Sequence, residues 1–333
     1  MNYETSMKKK LFSGARLRAY EKVLAFFLIL ISTFGNVVPI FTLSPMHTAE
    51  AAAVRIDTTA QSAGTSHLHA GPQTVFISDQ VGYKFYRDSS GECAYSKTTD
   101  AGASWGSAVL VDDQGTGTDC IAITVWYDRW TPNNFGNYIY IATLDTGTDD
   151  IYYNRLDTTT DTLLTGSTAI DTNNGSVQTD TTAAGANYQS ITVATNGTIY
   201  VSLNDSTDSF VLRCSVSCNS TASWSEVGTS PLDLANDYSI LVPLTAGDIM
   251  LINRDISLED IRSKIWHNTA ATWDAAWKFI DTNATDNTTY DIGLAAVVAS
   301  STSAATTSIY FAYTADNATL GTDDDVRTAL YKA

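Results

Sequence analysis

The side chains best suited to chemistry in this sequence are acids and tyrosines that recur beside short apolar runs. An aspartate ends the second run of each of five repeats, and a tyrosine or a histidine stands before the first run of several. Carboxylates accept hydrogen bonds from sugar hydroxyls, and a tyrosine ring stacks on the apolar face of a sugar. The pattern therefore predicts a sugar-binding set made of His69 (or His67), Arg87, Asp88, Asp145, Tyr188, Asp205, Tyr238, Arg254, Asp255, Tyr290 and Asp316.

The spacing of this set is regular. The interval from Tyr188 to Asp205 equals that from Tyr238 to Asp255, so these residues occupy matching positions in two repeats. Each residue also has a structural alternative, since an aspartate at a strand end often caps its own turn. A tyrosine that opens an inner strand often packs between neighbouring sheets instead of facing a ligand.

A second motif is an eight-residue turn pattern, Ser/Thr-x-Asp-x-Gly-x-x-Trp. The aspartate can accept hydrogen bonds across the turn, the glycine supplies a positive φ, and the tryptophan folds back over the turn. A degraded copy keeps the register with Asn for Asp and Thr for Gly, which indicates a structural turn that has drifted. The two copies contain Thr98, Asp100, Gly102 and Trp105, then Asn219 and Trp224.

This turn pattern resembles the Asp-box of the sialidase-type (BNR) β-propellers. The resemblance implies that the Asp-box turns lie on the face away from the ligand, and that the loops between second and third strands lie on the ligand face. Sialidases of this fold use three arginines and a Phe/Tyr-Arg-Ile-Pro segment, whereas Val54–Asp57 lacks the proline and only Arg87 and Arg254 fit the ligand face. Sialidase activity is therefore not predicted.

The chain beyond residue 53 consists of short Val/Ile/Tyr runs separated by turn residues, which predicts an all-β fold. A repeat of about 50 residues is typical of a β-propeller with four-stranded blades. We expect five blades, closed by pairing of Val54–Thr59 with Val326–Tyr331, which would leave no open edge. The alternative is a truncated six- or seven-bladed sialidase-like propeller.

Residues 1–53 have the composition of a signal peptide: basic residues, then an apolar run, then Ala49-Glu50-Ala51-Ala52-Ala53. We expect cleavage near Ala53, a secreted domain at 54–333 and no membrane insertion afterwards; a retained membrane anchor is the alternative. Removal of the segment takes away six basic and three acidic residues and leaves a chain more acidic than the full-length net charge of −17. Such a surface repels nucleic acid. Acidic loops can recruit Ca²⁺, but solvated carboxylates explain most of them, and no metal site or cofactor is predicted.

Four cysteines remain in an exported chain, which favours disulfides. Cys214 and Cys218 are close enough to pair across a strand end and its turn, which leaves Cys93 to pair with Cys120. A zinc site is the alternative, although the four histidines offer no Cys/His ligand spacing.

The function expected from these features is non-catalytic binding of an extracellular glycan or a surface partner. The second expectation is a glycoside hydrolase, exo-sialidase-like or furanosidase-like, that uses two or three of Asp88, Asp205 and Asp255. The third is a structural module of a cell surface.

Overall fold

A computed structural model describes residues 54–57, 71–111, 120–145, 150–164, 166–170, 188–204, 209–229, 231, 238–255, 258, 260–282, 294–299, 308–316 and 324–332. At residues 121, 145, 188, 204, 238, 299, 314–316 and 324–326 it describes the backbone alone. The predicted signal segment lies outside these residues.

The described residues form five antiparallel sheets, which we number in chain order. Sheet 1 contains β1 (Thr74–Phe76), β2 (Gly82–Arg87), β3 (Cys93–Thr98) and β4 (Val109–Leu110). Sheet 2 contains β5 (Cys120–Tyr127), β6 (Tyr138–Asp145), β7 (Asp150–Asp157), β8 (Thr162–Leu163) and β9 (Thr168–Ala169). Sheet 3 contains β10 (Tyr188–Val193), β11 (Ile199–Asn204), β12 (Ser209–Cys214) and β13 (Ser225–Glu226).

Sheet 4 contains β14 (Tyr238–Pro243), β15 (Ile249–Asp255), β16 (Asp260–His267), β17 (Thr272–Trp273) and β18 (Lys278–Asp281). Sheet 5 contains β19 (Leu294–Ala299), β20 (Ser308–Asp316) and β21 (Asp324–Lys332). Each sheet is a meander in which strands adjacent in sequence pair with each other, except that β9 pairs with β7 and β18 with β16. The all-β fold is therefore confirmed, and the described strands form multiple antiparallel sheets. No helix among the described residues is long and apolar enough to cross a membrane.

The sheets pack in succession through their first strands. β5 lies against β10, β10 against β14, and β14 against β19, while β5 also contacts β2 of sheet 1. Successive side chains of a strand point to opposite faces of its sheet. Where a sheet is covered on both faces, apolar side chains of both sets are buried and fill the spaces between it and the neighbouring sheets. Sheets 2, 3 and 4 are thus each packed between two neighbouring sheets.

The expected strand at the start of the mature chain is not formed where it is described. Val54–Asp57 lie in no strand, and Asp57 hydrogen-bonds Tyr86 in β2. Asp57 therefore lies beside sheet 1, and Val54–Asp57 add no strand to sheet 5; Thr58 and Thr59 are outside the described residues. Sheet 5 has three strands among the described residues, and β21 is its outer strand.

Both predicted disulfides are confirmed. Cys93 in β3 is bonded to Cys120 at the start of β5, which joins sheet 1 to sheet 2. Cys214 at the end of β12 is bonded to Cys218 in the turn that follows. No described cysteine is free.

Candidate functional site

The two ends of each sheet carry different side chains. We call the end where the second strand leads into the third the hairpin end, and the end where the third strand leads into the fourth the turn end. The register places Tyr188 opposite Asn204 in sheet 3, and Tyr238 opposite Arg254 in sheet 4. The aspartates of the predicted set follow directly after these positions or end the equivalent strands. Those members of the set that the structure describes thus lie at the hairpin ends.

At the hairpin end of sheet 1, both predicted site residues hold their own turn. Asp88 Oδ1 accepts hydrogen bonds from the backbone N–H of Ser90 at 2.8 Å and of Glu92 at 3.0 Å. Arg87 Nε donates to the carbonyl of Gly91 at 3.2 Å. The turn-capping role, which the sequence analysis kept as the alternative, describes Asp88.

The hairpin end of sheet 4 contains a buried cluster of charges. Asp255 is fully buried and forms an ion pair with Arg262 Nη2 at 2.8 Å, and its Oδ1 accepts from the backbone N–H of Leu258 at 2.9 Å. The Arg262 guanidinium lies 4.3 Å from the centre of the Trp277 ring. Because burial disfavours its charged form, Asp260 opposite Asp255 has a raised pKa.

The remaining residues of the predicted sugar-binding set are only partly described. Arg254 is almost completely buried. The structure describes only the backbone of four of them, which lie in strands β6, β10, β14 and β20: Asp145, Tyr188, Tyr238 and Asp316. His67, His69, Asp205 and Tyr290 lie outside the described residues. Among the described residues, no group of three or more histidine, cysteine or acidic side chains is arranged to hold a metal ion.

At the turn end of sheet 1, the Thr98–Trp105 turn has the geometry expected from its residues. Asp100 accepts from the Ser104 N–H at 2.8 Å and its hydroxyl at 2.6 Å, and from the Thr98 hydroxyl at 2.8 Å. These bonds, led by the Ser104 hydroxyl, lower the pKa of Asp100 to about 2. Gly102 has a φ of 89°, and the space where its side chain would lie is next to the Trp105 ring.

The degraded copy of this turn in sheet 3 is built differently. Trp224 is buried, and its Nε1 donates to the carbonyl of Cys218 at 3.0 Å. Asn219 is exposed at the surface of the turn. Here the Cys214–Cys218 disulfide closes the first part of the turn, which in sheet 1 is held by Asp100.

The turn ends also carry a repeated pair that was not predicted from the sequence. In each of the first three sheets, a tyrosine on the second strand lies opposite a lysine or an arginine on the third strand. These tyrosine–cation pairs are Tyr83–Lys97, Tyr140–Arg155 and Tyr200–Arg213. The cross-strand pairs become visible in the sequence only when the strands of the three repeats are aligned.

The first pair meets a carboxylate from the next sheet. Asp161, in the turn between β7 and β8, accepts from the Tyr83 hydroxyl at 2.5 Å and forms an ion pair with Lys97. Burial is the main cause of the raised pKa of Tyr83, and the bond to Asp161 adds to it. The interface between sheets 1 and 2 is thereby closed at its turn end.

The third pair is closed in the same way by a neutral side chain. The Tyr200 hydroxyl donates to Asn268 Oδ1 at 3.2 Å, and Asn268 lies in the turn between β16 and β17 of sheet 4. The Arg213 guanidinium lies 5.8 Å from the Trp266 ring of the same sheet. Trp273 Nε1 donates to the carbonyl of Val227 at 3.0 Å, which completes this interface.

The middle pair faces a cavity. A half-open cavity of about 300 Å³ lies between sheets 2 and 3 and is lined by Tyr140, Tyr153, Arg155 and the turn residues 215–219. The Arg155 guanidinium stacks on the Tyr138 ring at 4.1 Å, and among the described residues it forms no ion pair. Tyr140 is bonded within its own sheet to Asp128, and burial raises its pKa.

Comparison with known proteins gives structural matches of low similarity. No protein-family model matches the chain, and no curated protein sequence matches it. Among solved structures, an ulvan lyase of a polysaccharide lyase family matches at 13% identity and a TM-score of 0.48, over 78% of this chain and 63% of that one. The Hadza microbial sialidase Hz136 matches at 12% identity and a TM-score of 0.46, over 75% of this chain and 53% of that one.

A lectin from Aleuria aurantia, described as a six-bladed β-propeller, matches at 13% identity and a TM-score of 0.41, over 76% of this chain and 74% of that one. This chain thus spans less than two thirds of the length of the lyase and the sialidase. The three structures named are of proteins that bind or process carbohydrates. What each of them binds or cleaves is a property of that protein.

Proposed function

We propose that residues 54–333 form an exported β-propeller of the sialidase type, with the five sheets as its blades. The succession of meanders and the packing of their first strands support this arrangement. On one face of sheet 5, Val297 is 58% exposed, Tyr310 50% and Leu330 45%, which supports a neighbouring surface such as sheet 1. A truncated six- or seven-bladed ring is the alternative.

The function that we propose for this domain is non-catalytic binding of an extracellular glycan at the hairpin ends. The observation that carries the proposal is a register shared by sheets 3 and 4. Tyr188 lies opposite Asn204, the residue before Asp205, and Tyr238 lies opposite Arg254, the residue before Asp255. In both sheets the backbone register thus brings a tyrosine and the residue before a predicted aspartate to the same strand end. Such groups recognise sugars through hydroxyl hydrogen bonds and ring stacking.

Two described carboxylates argue for binding over catalysis. Asp88 is occupied by the backbone of its own turn, and Asp255 is neutralised by Arg262 and fully buried. A glycosidase needs one ionised carboxyl and one protonated carboxyl on either side of an accessible bond. Burial raises the pKa of Asp260, which lies opposite Asp255 in the sheet, and this pair of neighbouring carboxyls is the observation that favours a hydrolase as the second candidate.

Export is part of the proposal. The two disulfides support an oxidising compartment for the folded chain, and the acidic composition supports a surface without affinity for nucleic acid. Residues 1–53 are proposed as the signal peptide. N-terminal sequencing of the protein from the culture medium of an expressing host tests this, with a first residue near Val54 as the expected result.

A glycan-array screen of the purified protein tests the binding function. We expect the wild type to bind at least one glycan, and Tyr238→Ala and Asp205→Asn to lose that binding. Asp100→Asn at the turn end of sheet 1 is the matched control and should retain it. Cleavage of the bound glycan would establish the hydrolase, whereas the absence of both binding and cleavage would leave a structural module.

A further inference from the structure

The three tyrosine–cation pairs at the turn ends form an internal comparison. Lys97 is met by the carboxylate of Asp161, and Tyr200 by the amide oxygen of Asn268; in both cases the partner comes from the turn of the next sheet. Arg155 occupies the equivalent register position in sheet 2, but the corresponding turn of sheet 3 leaves a cavity in front of it. Among the described residues, the second interface therefore has no group in the position that Asp161 and Asn268 take in the first and third.

The charge of the missing group follows from Arg155. A guanidinium cannot lose its charge in a protein, and it satisfies its donors best against a carboxylate or a similar anion. The protein has 19 basic and 36 acidic residues. Among the described residues, Arg155 helps to lower the pKa of the nearby Asp157 but has no carboxylate within ion-pair distance. The guanidinium is already oriented by stacking on Tyr138, so an anion would meet a donor group whose position is fixed.

The size and walls of the cavity indicate a small ligand. Its volume of about 300 Å³ is at the lower end of ordinary ligand pockets. Tyr140 and Tyr153 supply aromatic walls, and Tyr153 is itself packed against Trp224 with ring centres 5.3 Å apart. The opposite wall is the turn that the Cys214–Cys218 disulfide restrains, with Ser217 at a φ of 57°.

We propose that this cavity binds a small organic carboxylate, whose carboxylate pairs with Arg155 as that of Asp161 pairs with Lys97. The site is at the turn end, so it does not depend on glycan binding at the hairpin ends. The carboxylate can belong to a simple organic acid or to one acidic sugar. Both contain the group that Arg155 recognises, and they differ in whether the aromatic walls are also used.

Isothermal titration calorimetry on the full-length protein tests the site, with glucuronate, acetate and neutral glucose as probes. We expect saturable binding of glucuronate and none of glucose. Arg155→Gln should weaken glucuronate binding by about tenfold or more, because one charge-assisted pair is lost. Arg213→Gln removes the equivalent cation of the third interface and should leave the affinity unchanged; circular dichroism checks that both variants are folded.

Acetate distinguishes the two sources of the carboxylate. Saturable acetate binding of equal strength identifies a simple organic acid, and weak or absent acetate binding identifies the acidic sugar. A second variant, Ser217→Asp, places a carboxylate on the wall of the cavity and should block glucuronate, since aspartate tolerates a positive φ better than most residues.

Three results would overturn the proposal. The first is no saturable binding of either glucuronate or acetate, and the second is glucose binding as tightly as glucuronate. The third is an equal loss of glucuronate affinity in Arg155→Gln and Arg213→Gln, because the effect would then be on the fold as a whole.

Discussion

Two sheet interfaces in this protein contain the same kind of tyrosine–cation pair, but different groups face that pair. Between sheets 1 and 2, Tyr83 and Lys97 meet Asp161; between sheets 2 and 3, Tyr140 and Arg155 face a cavity. The β7–β8 turn is short and places Asp161 at the interface. The β12–β13 turn is longer, since it joins Cys214 to Ser225, and the Cys214–Cys218 disulfide restrains its first part. The turn of the next sheet decides whether the pair is structural or available to a ligand.

The largest effect that separates the two interfaces should come from their disulfides. Cys93–Cys120 joins two sheets over a sequence separation of 27, and Cys214–Cys218 closes a loop with a separation of 4. Loop entropy alone then gives about 3.5 kcal/mol for the first bond and about 2 kcal/mol for the second. Urea unfolding of the double variants Cys93→Ser/Cys120→Ser and Cys214→Ser/Cys218→Ser measures this difference. Equal losses would show that the first disulfide does not reinforce the closed interface.

The next effect concerns the carboxylate that closes the first interface. Asp161→Ala should lower the free energy of unfolding by about 2 kcal/mol, because the fully buried Tyr83 loses the acceptor of its hydroxyl. The ion pair with Lys97 adds little, since the side chains are 30% and 44% exposed. Urea denaturation provides the measurement. Arg155→Gln is the counterpart at the open interface and should cost less than about 0.5 kcal/mol; a larger loss there would mean that Arg155 is structural.

A smaller effect is expected at the third interface. Asn268→Ala removes a neutral acceptor from the Tyr200 hydroxyl and should cost about 1 kcal/mol, less than Asp161→Ala because no charge takes part in the bond. Asn268→Asp keeps an acceptor and serves as the control. If Asn268→Ala were as damaging as Asp161→Ala, the charge on Asp161 would contribute nothing to the closure of the first interface.

The features that the sequence predicted are those set by local pattern. Short Val/Ile/Tyr runs separated by turn residues predicted the strands, and the short Cys214–Cys218 spacing led to both disulfide pairings. The role of Asp88 was ambiguous because a strand-end aspartate can serve a ligand or its own turn, and here it bonds to Ser90 and Glu92. The cavity at Arg155 was not predictable, since it depends on how the turn of the following sheet folds. That information is non-local.

The smallest effect should appear with pH, at the turn that presents Asn268. His267 lies between Asp274 at 2.9 Å and Asp248 at 3.2 Å, and Asp248 also accepts from the Asn268 N–H at 2.8 Å. These bonds, the one to Asp274 foremost, raise the pKa of His267 above its ordinary value of 6.5. The folded state therefore favours the protonated ring, and its stabilising contribution is complete below pH 6.5 and disappears as the pH rises through the folded-state pKa.

The side chain of His267 is 41% exposed, so this contribution should stay below about 1 kcal/mol. Urea unfolding of the wild type and His267→Gln at about pH 5.5 and about pH 8.5 isolates it from the other three histidines. We expect the wild type to be more stable than the variant at the lower pH and the difference to shrink at the higher one. A difference that is constant, or that grows with pH, would mean that the turn closing the third interface is held by Asp248 and Asn268 alone. In that case the third interface would be as insensitive to pH in this range as the first, where Asp161 remains ionised because its pKa is lowered.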